Sequence, residues 1–407
     1  MEKYWLYLEP YSFLWIMNRK GLVYNSLNYN CIEFKNDGIL GQKAAQLIEI
    51  SKMYCIEINQ NDLSDPDLNR FVIQLQTTYS GGLLDCTMNN NNKPVLLPPK
   101  MKLLKDVNRN IEKDIKSYLY EISIFINGQC DNYCNDCSQR YKQVSYCTKS
   151  GTELLISDIT NILDQIGDRH LRKINILGGN ILKYEGLNSL LEILKNYSYI
   201  KLFHLNYLNI TDNLILLHIL KHNQNKLKIL VHFPFNGSFN SLYSSLFKDA
   251  DKIEWLFVVI SADEFNSSLN LIDKYNLKEY EIKPIFTGSN SKFFEEYVFL
   301  NKSDILKSRL CRRQIYQKEV INTFDFGKLI FFSDNKIYAN INHGPVGNIK
   351  SPVSEVILNE ITKGSSWRRT RLNFRPCESC VYHLLCPSPS NYEIVFNKMN
   401  LCAISEK

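Results

Sequence analysis

Cys130, Cys134 and Cys137 spell C-x3-C-x2-C directly after the apolar run Tyr118–Ile126 of a 407-residue chain. Thiolates are soft ligands suited to iron–sulfur clusters and to zinc. Three of them on one loop can hold three corners of a cubane and leave the fourth iron open to a small molecule. Cys147, ten residues beyond Cys137, offers a fourth thiol that would instead close a tetrahedral zinc site. A second set, Cys377, Cys380, Cys386 and Cys402, spells C-x2-C-x5-C-x15-C. Four thiols so spaced make a metal site, for zinc or for a fully ligated cluster. In a reducing compartment clustered cysteines are ligands more often than disulfides. Cys31, Cys55 and Cys86 lack ligand spacing and read as plain thiols.

Regular elements must present these loops. From Tyr118 onward strand-like runs begin near residues 120, 174, 201, 228, 254 and 280, with helix-like stretches such as 152–166 and 189–197 between them. That beat predicts successive βα units. The runs are almost continuously apolar, which predicts strands covered on both faces. Six units predict an open, partial barrel with functional groups at the carboxyl ends of its strands. The first cysteine loop follows the first strand. Gly178-Gly179 follow the second, and two glycines let a ligand approach the backbone closely.

Composition narrows the class. Hydrophobic residues make up 44% and charged residues 22% of the chain, as in ordinary globular proteins. The length predicts two or three domains. Net charge is +6, from 48 basic and 42 acidic residues, and the basic residues are scattered. Arg368, Arg369, Arg371 and Arg375 read as a solvated helix face, so no nucleic-acid partner is expected. No apolar run reaches the roughly 18 residues of a membrane helix, and the start lacks a secretory leader. A cytoplasmic protein with no membrane partner is expected. Residues 1–90 hold β-rich runs at 4–9, 12–17 and 22–25 and helical spacing over 41–53. Asp65-Pro66 starts a helix that runs to about Ser80, where Gly81-Gly82 stop it. A linker rich in Asn and Pro covers 91–117.

The cysteine triad after the first strand, with Gly-Gly after the second, resembles the radical S-adenosylmethionine (radical SAM) family. The resemblance implies an α/β fold with a partial (β/α)6 barrel over 118–305. It implies a [4Fe-4S] cluster on Cys130, Cys134 and Cys137 as the catalytic group. SAM's amino group would meet Gly178, Gly179 and Asn180. One-electron cleavage of SAM would then yield a radical that takes a hydrogen atom from substrate. The chain departs from the family pattern at Asp136, where an aromatic residue is usual, and at Asn180, where an acid is usual.

Residues 306–407 resemble the SPASM extension of peptide-modifying members. That resemblance implies a second [4Fe-4S] cluster, or zinc in the same structural role, on Cys377, Cys380, Cys386 and Cys402. It also implies that a first auxiliary cluster is absent, because Ser390 and Asn340 stand where its cysteines would be. Tyr382, Tyr392 and Trp367 are expected to pack around the C-terminal metal. Residues 1–90 resemble a winged-helix-like leader-recognition unit. The phrases RPCESCVYHLLCPSPSNYE (375–393) and KYWLYLEPYSFLWIMN (3–18) resemble the pseudo-radical-SAM proteins of Bacteroidales-type Gly-Gly peptide systems. Two functions follow as expectations. One is radical modification of a ribosomally made precursor peptide. The alternative is a catalytically degenerate partner that binds the precursor or a companion radical SAM maturase without radical chemistry.

Overall fold

A computed structural model describes residues 2–89, 92–98, 114–132, 134, 137–149, 152–210, 213–235, 239–246 and 251–404. Asp136 and most of the expected linker lie outside the described residues.

The first strands are β1 (Lys3–Leu8), β2 (Ser12–Met17), β3 (Lys20–Asn25), β4 (Cys31–Lys35), β5 (Cys55–Asn59) and β6 (Gly81–Asp85). They form two antiparallel sheets, ordered β5-β1-β6 and β2-β3-β4. The three runs read from sequence are thus joined by three more short strands: β4 pairs with its neighbour β3, while β5 and β6 pair with the distant β1. Helices Gly38–Ile48 and Pro66–Thr77 pack Leu40, Ala44, Leu47, Leu68, Phe71 and Leu75 against them. Asp65 caps the second helix by accepting from the Leu68 amide at 2.8 Å, with Pro66 in the first turn. The helix ends at Thr77, and Gly81 begins β6 instead of stopping it. A Cβ at Gly81 would lie 2.2 Å from the Tyr7 carbonyl, so close strand pairing requires that glycine.

The β2-β3-β4 sheet is apolar on both faces. Leu14, Val23 and Ile32 join the core under the helices. Phe13, Trp15, Leu22 and Tyr24 point the other way, onto Ile305, Ile315, Leu384 and Leu385 of the C-terminal segment. The Tyr24 hydroxyl accepts from the Leu310 amide at 2.7 Å and donates to the Leu310 carbonyl at 2.9 Å. Tyr24→Phe leaves that amide without its partner and is expected to destabilise the chain by about 1–3 kcal/mol, read by urea unfolding. An unchanged midpoint would show that the Tyr24 hydroxyl makes no net contribution at this contact.

The central strands are β7 (Glu121–Phe125), β8 (Lys173–Leu177), β9 (Ile200–Asn206), β10 (Asn225–His232), β11 (Ile253–Val259) and β12 (Tyr280–Pro284). All six lie parallel, in sequence order, in one mixed sheet. After them come β13 (Lys328–Phe331), β14 (Lys336–Tyr338) and β15 (Gly347–Asn348). Of these, β13 pairs parallel with β7, and β14 and β15 follow antiparallel. The architecture is therefore mixed α/β with a large parallel sheet, as expected. Helices separate the strands, among them Ile156–Ile166 and Leu187–Leu194. Each buries an i, i+3, i+4, i+7 stripe: Ile159, Ile162, Leu163 and Ile166 in one, Leu187, Leu190, Leu191 and Leu194 in the other.

One face of this sheet matches the expectation of an apolar cover throughout, and the other only in patches, at Leu230, Leu256 and Val258 and at Phe125 and Leu177. Ile122, Ile174, Phe203, Ile229 and Phe257 meet the helices. The opposite face lines a chamber of about 500 Å³, with Glu121, Lys173, Asn175, His204, Lys228 and Lys283 projecting into it. Period-2 alternation separates the two sets of side chains. The C-terminal segment closes the chamber with Arg371, Ser388, Asn391 and Glu393.

Candidate metal centres

The first cysteine loop leaves the carboxyl end of β7 and is pinned at once to the end of β8. The Ile126 amide donates to the Leu177 carbonyl at 2.8 Å, and the Gly179 amide donates to the Asn127 carbonyl at 2.9 Å. Asn127 Nδ2 donates to the Asn180 carbonyl at 2.9 Å. A Cβ on Gly178 would meet Asn127 Oδ1 at 2.2 Å, and one on Gly179 would meet the Gln129 carbonyl at 2.3 Å. The close approach that these glycines permit is thus taken by the chain itself. Asn180 Oδ1 accepts from the Leu182 amide at 3.1 Å, opening a short turn.

Cys130, Cys134 and Cys137 are half-buried and unbridged. They come under the ends of β9 and β10. Cys134 Sγ lies 3.4 Å from His232 Nε2 and 3.9 Å from Asn206 Nδ2. Cys130 Sγ lies 4.0 Å from Asn209 Nδ2. Cys137 Sγ lies 3.9 Å from the Cys147 carbonyl. Burial pushes the Cys134 thiol up; Cys137 and Cys130 push the same way, and the Arg140 and Lys149 cations oppose them. Burial, then Cys137, Cys134 and Cys130, hold Cys147 well above the ordinary thiol range. The four sulfurs therefore share one electrostatic neighbourhood. Among the described residues, no group of three or more His, Cys, Asp or Glu side chains stands close enough to hold a single metal ion. The donor chemistry fits an iron–sulfur cluster: three half-exposed thiols lie close in the chain, with side-chain nitrogens beside Cys134 and Cys130.

His232, Asn206 and Asn209 escaped the sequence reading as site residues. A signal was available, since they end or follow the third and fourth parallel strands, and α/β sheets bind ligands beyond the carboxyl ends of their strands.

The C-terminal cysteines also share a neighbourhood. Burial pushes the Cys386 thiol up to about 12, Arg371 opposes this, and Cys380, Cys377 and Cys402 add to it. The arginine run is not one solvated helix face: Arg375 is exposed, but Arg369 and Arg371 are not. Arg369 and Arg371 are only 4% and 8% exposed, because each meets an acid from elsewhere in the chain. Arg369 pairs with Asp325 at 3.3 Å and Arg371 with Glu393 at 2.6 Å. Arg371 also donates to the carbonyls of Pro387 at 2.8 Å and Met399 at 3.0 Å, holding the two stretches that carry Cys386 and Cys402. A polar network occupies the region around Asn340 and Ser390. Asn340 Nδ2 donates to Asp325 at 3.1 Å and to Asn391 at 2.7 Å, and the Ser390 amide donates to Glu393 at 2.8 Å.

Of the three expected aromatic neighbours, Tyr382 packs with Cys380 and Cys386. Trp367 instead packs at a tilt against Phe326 in the central core and donates to the Lys328 carbonyl at 3.0 Å. Tyr392 packs on Phe294 and donates to the Pro284 carbonyl. Both are drawn by β13 and β12, which the local sequence does not reveal.

A groove of about 470 Å³ runs beside β4, an edge strand, and the helix Pro66–Thr77. Lys302 and Tyr382 wall its far side, and Lys302 pairs with Glu33 of β4 at 2.6 Å. Among the described residues, no helix is long and apolar enough to cross a membrane.

No family profile and no curated protein matches the chain. It is similar to solved structures of SuiB from Streptococcus suis, at 13% identity and a TM-score of 0.45 over 98% of this chain and 100% of that one. SuiB bound to its precursor peptide SuiA gives 14% identity and a TM-score of 0.43, covering 97% of each chain. The protein anSMEcpe with bound AdoMet gives 14% identity and a TM-score of 0.43 over 68% of this chain and 95% of that one. At these scores the likeness by itself carries no function across.

Proposed function

We propose that the chain is a radical SAM-type protein of ribosomal peptide maturation. Cys130, Cys134 and Cys137 hold a [4Fe-4S] cluster, with SAM beside the Gly178–Asn180 turn. Cys377, Cys380, Cys386 and Cys402 hold a second cluster, or zinc. The reading divides the chain into a peptide-recognition unit (1–90), a linker (91–117), a barrel (118–305) and a metal-binding extension (306–407), in a cytoplasmic setting. One observation carries it: three thiols follow the carboxyl end of the first parallel strand, two of them, Cys130 and Cys134, beside side-chain nitrogens at the ends of the third and fourth. Cluster and SAM, when bound, supply hydrogen-atom abstraction.

The chain's own residues do the rest. The Asn127–Gln129 segment and Gly178–Asn180 brace each other, so the cysteine loop is positioned by backbone pairing. The chamber below offers polar groups of both signs to a peptide. The open edge of β4 and its groove suit an extended segment added as a further strand.

Asn180 favours a second reading, that of a partner without radical chemistry. It offers no charge to an ammonium group, and its side chain already caps the Leu182 amide. Anaerobic reconstitution separates the two. About eight irons, four per cubane, and 5′-deoxyadenosine formed with dithionite support the first. About four irons with no nucleoside support the second. Zinc bound at Cys130–Cys137 overturns the cluster assignment itself.

A further inference from the structure

We infer that His232, Asn206 and Asn209 form a hydrogen-bonding cap on the sulfurs of Cys134 and Cys130 that raises the reduction potential of the cluster those cysteines hold. The inference rests on the cluster reading above and deepens it, giving the donors at the ends of the third and fourth strands an effect on the cluster's potential that the reading itself does not assign.

The orientation of the donors is set by their other partners. Asn206 ends β9 and is 1% exposed. Its Oδ1 accepts from the Leu208 amide at 3.0 Å, so its amide nitrogen must be the atom facing Cys134, 3.9 Å away. Cys130 Sγ lies beside both ends of the Asn209 amide, 3.9 Å from Oδ1 and 4.0 Å from Nδ2; Oδ1 already accepts from Asn132 Nδ2, and a metal-bound thiolate has no proton to donate to it, so only the Nδ2 contact can persist as a hydrogen bond. His232 ends β10 with Nε2 3.4 Å from Cys134 Sγ. A metal-bound thiolate has no proton to give, so a hydrogen bond between the two requires the tautomer protonated at Nε2. Arg140 adds positive charge nearby, since it acts on both Cys134 and His232. Its Nε is buried without a hydrogen-bond partner.

Hydrogen bonds to ligating sulfurs favour the more negative, reduced cluster over the oxidised one. The parallel register explains why the donors meet. Adjacent strands β9 and β10 end side by side, above the loop that leaves β7. The three residues position and tune; they are not assigned contact with substrate.

The test is an EPR-monitored redox titration of the reconstituted full chain, following the signal that is lost in the Cys130/Cys134/Cys137→Ala variant. His232→Leu and Asn206→Ser are the probes; the serine adds no charge beside the cluster, and its hydroxyl oxygen can still accept from the Leu208 amide. At the potential where the parent is half reduced, the reduced-to-oxidised ratio is expected to fall about tenfold in each, equal to about 59 mV for a one-electron couple. His232→Gln, which retains an N–H donor, is expected to stay within about twofold of the parent. If His232→Leu does not fold, Asn206→Ser carries the result. Titrations unmoved in the variants that fold overturn the cap while leaving the cluster reading intact. A parent chain that takes up no cubane at this loop overturns the functional reading, and the cap with it.

Discussion

Replacing Cys130, Cys134 and Cys137 together by alanine is expected to remove about four irons per chain, one cubane, and to abolish 5′-deoxyadenosine formation. The remaining iron, or zinc, should stay on the four C-terminal cysteines. The fold should persist, because the three thiols are half-buried on a loop and lie outside the central hydrophobic core. Circular dichroism and metal analysis on the same sample check both points. Full iron retention would mean that the loop is not a ligand set. In a precursor-modification assay the same variant distinguishes the two functional readings. An enzyme yields no product, whereas a non-catalytic partner still supports its maturase.

Arg371→Leu is expected to cost about 3–5 kcal/mol, because removing one member of a buried ion pair strands the other charge. Glu393 is only 2% exposed and accepts from Arg371 Nη2 at 2.6 Å. The same guanidinium reaches the carbonyls of Pro387 and Met399, so its loss also frees the stretches next to Cys386 and Cys402. Denaturant unfolding should show the loss, and metal analysis should show selective depletion of the C-terminal site with the central EPR signal kept. Arg371→Leu combined with Glu393→Leu should recover part of the stability, since no buried charge is left alone, but not the metal. Equal stability of Arg371→Leu and the parent would refute the buried pair.

The amino-acid order determined the two cysteine patterns, the helix start at Asp65-Pro66, and the βα rhythm that became six parallel strands in register order. Each is a short-range property: ligand spacing, a cap, or a run of one periodicity. Tertiary structure alone decided the remainder. His232 reaches a cysteine 98 positions earlier in the chain, and Asn206 reaches it across 72 positions. Which strands pair determines those meetings. Apolar runs foretold buried strands but not that one face would line a polar chamber, because Lys173 and Asn175 alternate with Ile174 and Ile176 within so short a run. Arg369 and Arg371 read as surface charge until Asp325 and Glu393 were brought beside them. Gly178 and Gly179 kept their need for space, yet packing assigned that space to the chain's own Asn127–Gln129 segment. A residue's chemistry is local, but its partner is chosen by the assembled sheet.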